Sequence, residues 1–141
     1  MRADPKRLKR LQRLERFRAI ARQGAAREAA EAEGTLAQLR GLAERTRGLA
    51  RDYADRRDIV DASGLRQIAS FMSGLQDLGS VTEADAERAQ SMADTKQVLL
   101  AEAERRRAAA EDRAAREARS IAESRSTPVI AARKPIGTPL E

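Results

Sequence analysis

The chain has 141 residues with 35% charged, 2% aromatic, no cysteine and no histidine. That length suits one domain, but bulky side chains are too scarce to fill a thick globular core, and the Ala-, Arg- and Glu-rich composition is that of long helices or a coiled coil. Disulfide and thiolate chemistry are excluded, and no apolar run is long enough to span a bilayer.

The net charge of +6 is unevenly placed. Residues 2–22 carry nine Arg/Lys against Asp4 and Glu15, a local net of +7. This basic start has no apolar stretch and small-residue cleavage site behind it, so it does not read as a secretory signal. A soluble cytoplasmic protein is the expectation.

The first predicted element is a helix over about 5–59, with Asp4 as cap and Pro5 in the first turn. Gly24, Gly34, Gly41 and Gly48 weaken it by about 1 kcal/mol each relative to alanine. The surrounding Ala, Arg, Glu and Leu residues offset that loss. A turn follows at about 60–64, where Asp61 and Ser63 are turn and capping residues and Gly64 loosens the backbone. A second helix is predicted over about 65–126. Gly79 and Ser80, with Glu83 three residues after Ser80, mark a possible interruption inside it. Residues 127–141 contain three prolines and no periodicity, and read as a flexible tail.

Each helix carries an apolar line at alternating spacings of four and three. In the first, ten of the 15 positions from 11, 14, 18 and 21 through to 60 are apolar. In the second, twelve of the 17 positions from 65, 68, 72 and 75 through to 121 are apolar. This is the spacing of a two-helix seam. At about 1.5 Å per residue, two such helices would each reach roughly 80–90 Å. A short connection favours antiparallel neighbours. The predicted fold is therefore all-α: a long two-helix antiparallel coiled-coil hairpin with a flexible C-terminal tail.

Folding the sequence about residue 62 brings Tyr53 near Phe71, Leu49 near Leu75 and Leu42 near Thr82. The bulky residues thus collect beside the turn. At the other end Leu8, Leu11 and Leu14 face Ala110 and Ala114, which are too small to cover them. On the same helix Arg2, Lys6, Lys9, Arg13 and Arg16 form a basic stripe opposite Leu11.

A charge run of this kind is ordinarily a solvated face. Nucleic acid would use the charge through counterion release, but no interleaved aromatics, zinc ligands or basic-zipper asparagines accompany it. A lipid surface suits a basic amphipathic helix, although tryptophan is absent. An acidic, partly apolar protein groove would use both the leucines and the basic residues. Catalysis without Cys or His would need paired carboxylates, an activated lysine or a hydroxyl triad. The carboxylates at Glu102, Glu104, Glu111 and Asp112 sit among arginines at ion-pairing spacing. "GLQDLGS" lacks the lysine and glycine spacing of a phosphate loop. No enzyme, cofactor or metal is expected.

"LAQLRGLAERTRGLARDY" (36–53) followed by "LRQIASFMSGLQDL" (65–78) resembles the FliJ family of flagellar type III export proteins and the related YscO-type proteins of injectisomes. The resemblance lies in a Gln/Leu/Tyr-rich end of helix 1 and an L-x-x-x-x-x-F-x-x-x-L opening of helix 2, and covers roughly residues 6–125. Arg45 stands where the family commonly has an aromatic. The resemblance implies a non-catalytic coiled-coil stalk linking the export ATPase ring to the cytoplasmic domain of the membrane export gate, with export chaperones as further partners. Nucleic acid is not among the implied partners, and membrane association would be peripheral, through partners at the cytoplasmic face of the inner membrane. By position, the gate patch would comprise Gln38, Leu42, Leu49, Phe71, Leu75 and Leu78. The ring would be met by Arg2, Lys6, Leu8, Lys9, Leu11, Arg13, Leu14 and Arg16. An unrelated coiled-coil scaffold or dimerisation protein is the competing reading.

Overall fold

A computed structural model describes residues 3–56 and 61–131, with side chains to residue 126. The fold is an all-α helical hairpin: α1 (Pro5–Ala54) and α2 (Ala62–Ala131) pack against each other. No helix among the described residues is long and apolar enough to cross a membrane.

Both helices start on aspartate caps. Asp4 Oδ1 accepts from the Lys6 N–H at 2.9 Å, and the Asp4 carbonyl accepts the first helical bond from Leu8. Asp61 repeats the arrangement, its Oδ1 accepting from the Gly64 N–H at 2.6 Å and its carbonyl from Leu65. Each side chain satisfies a donor that the first turn would otherwise leave unpaired. At its end α1 tightens, with Arg56 N–H reaching back only three residues to Tyr53 O at 3.3 Å.

The element boundaries shift from those predicted. The first helix stops at Ala54 rather than near 59, and α2 starts at Ala62, immediately after the Asp61 cap. Residues 57–59 of the predicted first helix, residue 60 of the predicted turn and tail residues 132–141 lie outside the described residues, as does Arg2. Residues 127–131 continue α2 instead of opening a tail. Helix α2 also runs unbroken through Gly79. A helical Gly costs only about 1 kcal/mol, too little to end a helix that is held by packing on both sides.

The chain divides into two compact units, Ala25–Leu100 and the combination of Met1–Gly24 with Ala101–Glu141. In the Ala25–Leu100 unit, Tyr53 packs against Phe71 with ring centroids 4.6 Å apart and the rings tilted by 54°, and Lys96 Nζ meets Glu28 at 3.1 Å. These pairings make the helices antiparallel. Every seam position predicted on α2 here, from 68 through 72, 75, 79, 82, 86, 89, 93 and 96 to 100, is buried or half-buried; only Leu65 is exposed.

On α1 the predicted seam is half right. Positions 25, 32, 39, 46 and 53 face α2, but their companions are 29, 36, 43 and 50 rather than 28, 35, 42 and 49. The reason is chemical. The observed companions are Ala29, Leu36, Ala43 and Ala50, all apolar, whereas the predicted line would have buried Glu28. Burying that carboxylate with its Lys96 partner would cost desolvation that two leucines left partly in water do not. Ala29, Ala43 and Ala93 are almost fully buried, so small side chains line much of this seam. Its buried hydroxyls, Thr46 and Thr82, donate to carbonyls one turn back, at Leu42 (2.8 Å) and Leu78 (2.6 Å).

In the other unit, positions 4, 8, 11, 15, 18 and 22 of α1 meet 103, 107, 110, 114, 117 and 121 of α2. Arg22 pairs with Glu104 at 3.6 Å. Glu117, with its side chain 11% exposed, accepts the Asp4 N–H at 3.0 Å and lies 3.9 Å from Arg7. In a capping box the third helical residue supplies such a carboxylate. Here that residue is Arg7, and Glu117 of α2 supplies the carboxylate instead.

Candidate functional site

Two surfaces collect the residues that sequence reasoning assigned to partners, one in each unit. In heptad letters, the seam of the Ala25–Leu100 unit has Ala43, Ala50, Met72 and Gly79 at a, and Leu39, Thr46, Leu75 and Thr82 at d. Antiparallel helices set the e residues of both on one flank and the g residues of both on the other. The e flank is polar: Arg47 bonds Glu83 at 2.7 Å, and Arg40 bonds Gln90.

The g flank is apolar. It carries Leu42 and Leu49 from α1, and Phe71 and Leu78 from α2. Leu42 is 37% exposed, and the other three are each 46% exposed. Phe71 uses one ring face against Tyr53, whose own ring has the Arg56 guanidinium 4.3 Å from its centroid. Past Asp85 the same line on α2 continues with exposed Met92 and Leu99. The shift by one residue on α1 therefore has a surface consequence. It puts alanine into the seam and leaves two leucines beside it.

Of the six residues predicted for this patch, Gln38, Leu42, Leu49, Phe71 and Leu78 are exposed, and Leu75 is not. Leu75 is 7% exposed because it occupies a d position that faces α1. It belongs to the core. Met92 and Leu99 were missed. Their spacing of seven from Phe71 and Leu78, with Asp85 between, was the available signal.

The second surface is the outer face of α1 in the other unit. Lys6, Lys9, Arg10, Arg13 and Arg16 are all exposed, and none has a carboxylate within 4.0 Å among the described residues. Asp4, Lys6, Lys9, Arg10 and Arg13 line a shallow depression of about 320 Å³. The predicted basic stripe does point away from α2. The leucines expected to face α2 are better covered than expected. Leu8 and Leu11 are seam residues and half-buried, and Leu14 is half-buried on the flank. The uncovered apolar groups are Phe17 and Ile20, 64% and 68% exposed within the basic face. Alanine partners let the helices approach closely, so leucine surface is covered by backbone as well as by side chains.

The described part of this unit holds fifteen Lys/Arg against eight Asp/Glu, whereas the described part of the Ala25–Leu100 unit holds nine against twelve. The two candidate surfaces thus differ in kind, one apolar on a weakly acidic unit and one strongly basic. Among the described residues, no group of three or more Asp or Glu side chains could hold a metal ion. No family model matches the sequence, and neither any curated protein nor any solved structure matches the chain.

Proposed function

We propose that this chain is a non-catalytic, partner-binding hairpin of a FliJ-like kind. In this reading it is a stalk component of the flagellar type III export apparatus, acting on the cytoplasmic side between the export ATPase ring and the export gate. The observation that carries the reading is the exposed run of Leu42, Leu49, Phe71 and Leu78 on one flank, where Leu42 and Leu49 stand beside the small seam residues Ala43 and Ala50. A hairpin selected for its own stability would place the leucines inward, where each is worth about 1.5–3 kcal/mol when fully buried. Large apolar groups held at a surface beside small ones in the core suit a face that a partner covers. These residues are also the ones that the sequence resemblance assigns to the gate. The basic outer face with Phe17 and Ile20 suits an acidic ring surface, where charge would steer the encounter and the apolar pair would hold it.

A pull-down from flagellated cells tests the proposal. Tagged wild-type protein should recover the gate's cytoplasmic domain and the export ATPase. Changing Leu49, Phe71 and Leu78 to Ala should lose the gate and keep the ATPase. Changing Lys6, Lys9 and Arg13 to Glu should do the reverse. Wild-type protein that recovers only its own copies would make this an unrelated dimerising scaffold.

A further inference from the structure

The basic unit has a second feature, separate from its outer stripe. Leu14, Arg18, Arg106, Ala109, Ala110 and Arg113 line a hollow of about 150 Å³. Arg106 and Arg113 are seven residues apart on α2, at successive g positions. Leu14 occupies the g position of α1. Arg18 belongs to the seam itself, where the small Ala110, 3% exposed, leaves its side chain room to turn toward the same flank. Three arginines therefore line one small concavity.

Among the described residues these three have no anionic partner, a feature they share with the cations of the outer stripe but not with Arg7, Arg22 and Arg116. Arg7 has Glu117, Arg22 has Glu104, and Arg116 has Asp112. Among the described residues, Arg18, Arg106 and Arg113 have neither a carboxylate within 4.0 Å nor a hydrogen-bond acceptor. Two exposed arginines gathered beside the half-buried Arg18 repel it and each other unless an anion completes the set.

We infer that this hollow is an anion site for a phosphoryl group. The guanidinium fork matches phosphate oxygens in paired hydrogen bonds. A phosphomonoester carries about −1.5 to −2 at neutral pH, so it balances three arginines better than one carboxylate does. At about 150 Å³ the hollow is well below the roughly 300–1,000 Å³ typical of pockets that enclose a whole organic ligand. It takes the phosphoryl end and leaves the remainder of the ligand outside. The exposed Phe17 lies one turn from Leu14 on α1, so an apolar surface adjoins the site. A soluble phosphomonoester and a phosphatidic acid headgroup present the same chemistry to it. This inference does not rest on the export reading.

Calorimetric titration of the full chain with pyrophosphate, at ionic strength held constant with chloride, tests the site. Three proteins are compared: wild type, R106Q/R113Q, and K6Q/K9Q, which loses the same charge from the outer stripe. Wild type and K6Q/K9Q should bind alike. R106Q/R113Q should bind at least about tenfold more weakly, having lost two charge-assisted donors. In chloride alone R106Q/R113Q should melt no lower than wild type, because the two arginines make no ion pair to lose. Absence of pyrophosphate binding, equal weakening in both double variants, or a clear melting loss in R106Q/R113Q overturns the inference. Sedimentation with vesicles containing phosphatidic acid, whose headgroup is a phosphomonoester, then separates the sources. Wild type that sediments, beside R106Q/R113Q that does not, assigns a lipid headgroup. Wild type that binds pyrophosphate without sedimenting assigns a soluble phosphate compound.

Discussion

Leu36 and Leu49 are leucines of the same helix, and an alanine at each tests which line of α1 faces α2. Leu36 is 3% exposed at an a position, whereas Leu49 is 46% exposed at g. Leu→Ala at a buried site loses about 2 kcal/mol of transfer free energy, at about 0.8 kcal/mol per buried methylene. The unfilled space adds more, so Leu36→Ala should cost about 3 kcal/mol. Leu49 has about half of that surface in water already and can relax outward, so Leu49→Ala should cost about 1 kcal/mol or less. Urea unfolding followed by far-UV circular dichroism measures both, with the slopes compared to check that the unfolded state is unchanged. Equal losses, or a larger loss at Leu49, would return the seam to 28, 35, 42 and 49 and dissolve the apolar flank.

Three further outcomes follow from local geometry. Gly79→Ala should stabilise by about 1 kcal/mol, because its new Cβ would sit 3.7 Å from Thr46 Cγ2, an ordinary contact; a lower midpoint in urea would mean that the helices cannot spare that room. Asp61→Ala should lose about 1 kcal/mol by removing the α2 cap, and Asp61→Asn should retain most of it. Glu117→Ala should uncover the Asp4 N–H and the Arg7 side chain, which hydrogen exchange would report as faster opening of the first turn of α1 without comparable change near Tyr53.

Much of this architecture was written in periodicity. The α2 line from Ile68 to Ile121 could be read position by position, because its apolar residues recur at the seam spacing while the neighbouring line through Phe71, Leu78, Met92 and Leu99 is broken by Asp85. On α1 two lines competed, since Leu42 and Leu49 each precede an alanine. Hydrophobicity favours the leucines, and only the burial of Glu28 on the rejected line decides against them. Choosing between them requires weighing one carboxylate against two leucines across several turns. The same ambiguity placed Leu75 both in the core and on the patch. The cross-helix cap by Glu117 was not legible, because it depends on register between residues 113 positions apart. The three-arginine hollow was hidden for the same reason: Arg18 joins Arg106 and Arg113 only once the helices are paired. The cap at Asp4 was local and was read directly, while Asp61 was read only as one of two turn or cap residues, with Ser63.

The central claim is that a partner covers the flank bearing Leu42, Leu49, Phe71 and Leu78. Surface-based kinetics against the purified cytoplasmic domain of the export gate test it most directly, using wild type and the variant with Leu49, Phe71 and Leu78 changed to Ala. The account predicts that wild type binds and that the variant dissociates at least about tenfold faster with little change in association rate, as expected when apolar anchors are removed. Circular dichroism should show the variant still fully helical. A folded variant that binds and dissociates like wild type, or a wild type that does not bind, would contradict it.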